Sequence, residues 1–229
     1  MAGIIGPVGV CNLALSLLNS PSTINSIETP TVPTEAACAL WYDHTRQETL
    51  REMNWNFALK RAELAASTVT PAFGYDYKYP LPNDFIRLVR VNGYSEDEIP
   101  RDRDFSFSVE NGAILTGNSL TSGGTDSDGN PLALRITYIY DITDVSKFDR
   151  LFVKLLAHNL AINLAYAVTS KNTKVQSLID NTNMVRMKAY SVNGQESPIV
   201  RKEVSSWNTR RRNSASGAYA GPVTDLDRA

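Results

Sequence analysis

At 229 residues and 25.3 kDa the chain is long enough to bury a sizeable core, as one domain or as a domain carrying an insertion. Hydrophobic residues at 42% and charged residues at 21% exclude a wholly disordered chain and a membrane-embedded one. A net charge of -1 and a pI near 6.1 create no general attraction to nucleic acid, so any basic function has to be local.

The run from Met1 to Leu18 is apolar, but no Lys or Arg precedes Arg46, so the positive flank of a secretory signal is missing. It reads as a buried first helix of a protein made in the cytoplasm. Val10 to Asn19 is that helix, with Leu13, Leu17 and Leu18 at helical spacing and Ala14 beside them. Ser20-Pro21 stops it, and the proline-bearing stretch from Ile24 to Pro33 is an extended connection.

Thr34 then reads as the cap of a long helix. Cys38, Tyr42, Thr45, Thr49 and Met53 share one face, while Asp43, Arg46, Gln47, Glu48 and Arg51 mostly face elsewhere. Asn54-Trp55-Asn56-Phe57 puts two aromatics where the chain should bend, and Trp55 and Phe57 are expected to anchor the core. Cys11 and Cys38 sit on separate helices and form no close-spaced metal or redox motif. They read as buried thiols, with a disulfide possible only if the two helices pack side by side.

Period-two patterns follow. Tyr75, Tyr77, Tyr79 and Leu81 share one side of a strand that Pro80 and Pro82 confine to an edge. Phe85 to Val91 is a second strand, and Phe105 to Val109 leads through Asn111-Gly112 into Ala113 to Thr116 as a hairpin. After a Gly- and Ser-rich loop, Leu132 to Tyr140 closes one sheet of four or five antiparallel strands. From Ser146 the period returns to helical, giving a central helix with a narrow polar stripe of Asp149, Lys154, His158 and Asn163. A last helix runs from Thr173 to about Val192. The fold predicted is α+β, a bundle of about four helices built from hairpins at 1–67 and 146–196, with an antiparallel β-sheet inserted at 68–145. Beyond it, 197–229 is an extended arm with no apparent partner in its own chain.

The inventory for catalysis is thin. His44 and His158 are the only histidines, and no metalloprotease, nucleophile-elbow or phosphate-loop motif is present. Asp126-Ser127-Asp128-Gly129-Asn130 begins like a calcium loop, but its Gly comes too early and Thr137 stands where the bidentate Glu belongs. Glu96, Asp97 and Glu98 form a charged loop tip without opposed carboxylates. No catalytic residue, cofactor or metal is expected. The arm, with Trp207 beside Arg210, Arg211 and Arg212, is basic but too sparsely charged to hold nucleic acid as a single copy.

V-C-N-L-A-L at residues 10 to 15, the spaced Cys38, Tyr42-Asp43 and Arg46, Leu50-Arg51, N-W-N-F-A-L-K-R-A at 54 to 62, and Y-x-Y-x-Y-P-L-P-x-D-x-x-R-L at 75 to 88 together resemble the tail tubular protein A family, the head-to-tail adaptors of short-tailed bacteriophages. The motifs cover about residues 8 to 92, and the rest matches in order of elements. One departure is Asn54, where the family pattern leads one to expect Pro. The resemblance implies a non-enzymatic virion protein assembled in the host cytoplasm, forming a ring, usually of twelve subunits, between the portal protein and the tail nozzle. DNA would pass through its centre without sequence-specific binding, and no membrane is involved. The arm would reach the portal, Ile199, Val200 and Val204 adding as a strand, Trp207 anchoring, and Arg210, Arg211 and Arg212 meeting acidic surface. Cys38, Tyr42, Trp55, Phe57 and Tyr77 would be structural core. A virion-carried cell-wall hydrolase and a DNA-binding module using the arm are the competing classes.

Overall fold

The computed structural model describes residues 6–91, 107–117, 133–168 and 172–196. Among them the order of elements is α1 (Pro7–Leu17), α2 (Pro33–Glu52), β1 (Leu59–Leu64), β2 (Tyr77–Pro80), β3 (Phe85–Val91), β4 (Phe107–Glu110), β5 (Ala113–Thr116), β6 (Leu134–Tyr140), α3 (Arg150–Val168) and α4 (Asn172–Glu196). The fold is α+β, with four helices and two small antiparallel sheets between the second and third of them.

α3 is the centre of the bundle and packs against α1, α2 and α4. Its sequence dictates this, since Phe152, Leu155, Leu156, Leu160, Ala161 and Leu164 point in several directions around the helix and all are fully buried. Asp149 starts it by accepting the N–H groups of Leu151 (2.7 Å) and Phe152 (3.2 Å). α4 contributes Val175, Leu178, Thr182, Ala189 and Asn193 at steps of three, four and seven residues, and Met184 and Met187 of the same helix face outward. α1 buries Val10, Cys11, Ala14, Leu15 and the following Leu18. Leu13 and Leu17, expected in that core, are instead exposed, because a helix apolar on all sides does not announce which side it buries.

α2 begins one residue before Thr34, with Val32 as cap residue and Pro33 in the first turn, so Thr34 lies inside the helix and makes no cap. Glu35 takes over the anchoring role. Its carboxylate accepts the backbone N–H of Thr31 at 2.8 Å and of Asn25 at 3.2 Å, tying the extended connection to the helix start. Those bonds hold the Glu35 carboxyl down at about 2, below its ordinary 4.5.

The helix ends at Glu52, and the chain turns through Trp55 into a short 3-10 turn, Asn56–Ala58. Leu59–Leu64, which the sequence reading had placed in the first helical segment (1–67), is strand β1. Every one of its residues is in register with β6, from Leu59 opposite Ile139 to Leu64 opposite Leu134, and this pairing overrides the helix-prone composition of L-K-R-A-E-L.

In place of one continuous sheet there are two three-stranded ones, ordered β1-β6-β3 and β2-β5-β4. Leu134, Ile136 and Tyr138 on one face of β6 join Leu64, Val91, Tyr79 and Ile114 in a core between the sheets. Ile139, on the other face, joins the helical core. The first sheet is therefore a middle layer with a different apolar partner on each side, and β3 shares this role with β6, Phe85, Leu88 and Val91 joining the core between the sheets and Ile86 and Val89 the helical core. Asn111 and Gly112, with φ of 46° and 69°, make the predicted tight turn between β4 and β5. β2 is an edge strand that ends at Pro80, consistent with a residue that cannot donate to a ladder.

Candidate functional site

The residues that carry the family resemblance meet where the bundle joins the first sheet. Trp55 is 1% exposed and its indole N–H donates to the carbonyl of Thr49 at 2.9 Å, closing the end of α2. Its ring lies edge-on to Phe152 (5.0 Å) and Tyr190 (5.8 Å), and Phe57 packs on Phe152 at 4.9 Å and Phe148 at 5.8 Å. Asn193 of α4 brackets the bend on both sides. Its side chain accepts from the N–H of Asn56 at 2.9 Å and donates to the carbonyl of Asn54 at 2.8 Å, while the Asn56 amide donates to the Asn193 carbonyl at 2.8 Å. Asn54 thus offers a carbonyl to α4 and a side-chain oxygen to Arg87 of β3.

A second tie lies one turn earlier. Arg46, expected to face solvent, is 2% exposed. Its guanidinium bonds Asp43 at 3.2 Å, Asp141 just past β6, and the carbonyl of Ile142 at 2.7 Å. Gln47 also donates to Asp141, at 2.9 Å. At the same end of the sheet, where the Asp141 N–H donates to the Asp84 carbonyl at 2.7 Å, the Asp84 carboxylate accepts from Lys60 of β1 at 2.7 Å and from the Tyr138 hydroxyl of β6 at 2.9 Å. Burial opposes ionisation of Asp84, but these bonds outweigh it and its carboxyl is lowered. Asn12 of α1 clasps Ile24 through both backbone groups, at 3.0 and 2.8 Å.

Between the helices runs a polar seam. Asn163 and Asn159 of α3 donate to the hydroxyls of Thr45 (2.9 Å) and Thr49 (3.0 Å), which themselves donate to carbonyls one turn back. This explains why α2 carries Cys, Tyr and Thr on its inner face: small hydroxyls let α3 approach and be held by asparagine. Glu52 accepts from Arg186 at 3.1 Å and from Tyr190 at 2.8 Å. Burial and that bond push the Tyr190 hydroxyl up to about 12.

These groups do not compose a catalytic constellation. The Glu52 charge is matched by Arg186 and the Tyr190 proton is held by Glu52, so neither is poised to react. His158 is buried beside the Thr182 hydroxyl (3.4 Å), and burial, with Lys154 nearby, lowers its basicity. His44 is exposed and stands edge-on to Trp41 at 5.9 Å. Cys11 and Cys38 are free, buried thiols hydrogen-bonded to each other, and that bond and burial raise the Cys11 thiol. Among the described residues no group of three or more His, Cys, Asp or Glu is placed to hold a metal ion, and no helix is long and apolar enough to cross a membrane.

The open half of the first sheet carries a different feature. Beyond the helices, the face of this sheet that carries Ile139 forms a shallow hollow of about 460 Å³, lined by Arg61 and Glu63 of β1, Arg135 and Thr137 of β6, and Arg90 of β3. Arg61 and Arg90 are both opposite Thr137 in register, on either side of it. The register shift between Leu88 and Arg90 brings Arg90 into that row, leaving Val89 against the helical core. Arg135 in the neighbouring row donates to Glu63 at 2.9 Å.

Of the expected structural residues, Cys38, Tyr42 and Trp55 are buried, and Phe57 is half-buried against the same core. Tyr77 is half-buried at the end of the core between the sheets, where Tyr79 is the fully buried tyrosine. Ile199, Val200, Val204, Trp207, Arg210, Arg211 and Arg212 lie outside the described residues, as do Glu96, Asp97, Glu98 and the loop Asp126 to Asn130. No protein-family model matches the chain, and no curated protein is significantly similar to it. Asn193 and the Arg61–Thr137–Arg90 row were not singled out from the sequence, and Arg46 was marked by the resemblance but not as a buried residue. Their partners lie far away in the chain, and only the Asp43–Arg46 spacing carried a local signal.

Proposed function

We propose that this protein is a head-to-tail adaptor of a tailed bacteriophage, a non-enzymatic ring component that joins the portal to the tail nozzle around the DNA path. The observation that carries the proposal is the convergence of the resemblance residues. Asn12, Arg46, Asn54, Asn56 and Asp84 each tie their segment to another further along the chain through the hydrogen bonds above, and Trp55 does so through its ring contacts with Phe152 and Tyr190. Residues so employed make geometry rather than chemistry, which is what a rigid part of an assembly requires.

Two outward faces also support a ring. Leu13 (41% exposed) and Leu17 (38%) stand one turn apart on α1, and Met184 (65%) and Met187 (74%) stand one turn apart on α4. Apolar residues grouped on a helix face mark surfaces that await a partner, and methionine adapts well to such contacts. The arm from 197 to 229 would order on the portal, so that the entropy of ordering it is offset only when many copies bind together.

Deleting residues 197–229 tests this directly. The truncated chain should unfold at the same denaturant concentration as the full chain yet fail to co-sediment with portal rings. A truncated chain that still joins the portal would refute the role of the arm.

A further inference from the structure

We propose that the Arg61–Thr137–Arg90 row is a docking site for a carboxylate-rich segment of another protein. The register fixes the spacing: Arg61 and Arg90 flank Thr137 across three adjacent strands, so their backbones are two strand steps apart, about 9.6 Å. A carboxylate resting over Thr137 is within reach of both guanidiniums and of the threonine hydroxyl, and Arg–carboxylate pairing in two-pronged geometry is among the stronger charge-assisted contacts.

The neighbouring cations are occupied elsewhere. Lys60 is held by Asp84, Arg51 by the carbonyl of Ile86, Arg87 by Asn54, and Arg135 by Glu63. Arg61 and Arg90 meet no carboxylate among the described residues. The hollow is thus a small positive field whose anion no described residue supplies. Its floor is the backbone of a sheet already packed on its other side, so it is formed before anything binds.

Charge and size decide the occupant. DNA is the other polyanion to consider, but affinity for duplex rises with the number of phosphates neutralised, by a salt slope of about 0.9 for each. Two unpaired arginines supply two such contacts against a net charge of -1 and beside Glu63, too little to hold a duplex. A peptide with two or three acidic side chains needs no longer track than this row offers.

This inference does not depend on the adaptor proposal, and its test is separate. A labelled oligoglutamate peptide and a labelled DNA duplex are titrated by fluorescence anisotropy into the full chain, into Arg61→Glu/Arg90→Glu, and into Arg61→Gln/Arg90→Gln, at low and physiological salt. Thermal unfolding of each variant verifies the fold. The expected result is salt-sensitive peptide binding that weakens at least tenfold in both variants, more in the Glu pair, with DNA binding unchanged. Equal peptide binding by all three proteins overturns the proposal. So does a loss of DNA binding that matches or exceeds the loss of peptide binding, since the row would then serve nucleic acid. Self-association of the full chain that the Glu pair abolishes would also overturn it, because the occupant would be a second copy of this chain.

Discussion

Asn193→Ala is the most informative single change at the joint, because two opposing effects of known size meet there. The substitution deletes the acceptor of the Asn56 N–H and the donor to the Asn54 carbonyl, at 2.9 and 2.8 Å. Asn193 is 8% exposed, so water does not replace both bonds freely. Losing two such bonds and stranding the Asn56 N–H costs about 2–3 kcal/mol. Alanine is the better helix former, which returns about 0.5 kcal/mol because the site lies inside α4. The net expectation is a loss of about 2 kcal/mol. Urea unfolding followed by tryptophan fluorescence measures it, with Met187→Ala, at a site 74% exposed on the same helix, expected to stay within about 0.5 kcal/mol of the native chain. If Asn193→Ala proves as stable as the native protein, helix propensity has won and the asparagine bracket does not hold the bend.

Arg46→Ala leaves the Ile142 carbonyl and Asp141 without their buried cation and should cost about 3–5 kcal/mol in chemical denaturation, with Arg46→Lys recovering only part because an ammonium cannot span both acceptors. A loss below about 1 kcal/mol would mean that the pair is energetically idle. Tyr42→Phe should be neutral or stabilising by up to about 1 kcal/mol, since the Tyr42 hydroxyl is buried with no hydrogen-bond partner among the described residues; a clear loss of stability would reveal a partner bound by that hydroxyl. Glu35 has its carboxyl lowered from 4.5 to about 2 in the folded chain, so its stabilisation is complete above about pH 4.5 and is lost as pH falls toward 2. Glu35→Gln should therefore lower stability near neutral pH and flatten its decline between pH 4.5 and 2; an unchanged acid limb would contradict the assignment.

How much of this was legible beforehand follows from where each signal resides. The inner face of α2 could be read because Cys38, Tyr42, Thr45 and Thr49 repeat at the helical period, and the β4–β5 hairpin because Asn111-Gly112 is a local chemical requirement. The burial of Arg46 could not, since its counter-charge Asp141 lies 95 residues away. β1 was read with the helical segment because L-K-R-A-E-L has no period-two alternation, and its strand state comes entirely from pairing with β6. The division into two sheets was hidden for a related reason. β6 alternates Leu134, Ile136 and Tyr138 with Arg135, Thr137 and Ile139, and alternation alone does not reveal that its second face meets a separate core through Ile139. The Arg61–Thr137–Arg90 row joins three strands and depends on a register shift in β3, so no stretch of sequence displays it. The exposed pairs on α1 and α4 mislead in the same way, because an apolar residue on a helix looks like core whether or not the fold buries it.

The adaptor proposal meets its most direct test in light scattering of the purified full chain, alone and then mixed with a portal protein from the same genome. A monomer that becomes a large complex with the portal, near one copy per portal subunit, is the predicted result. A compact monomer or dimer whose mass is indifferent to the portal would contradict it.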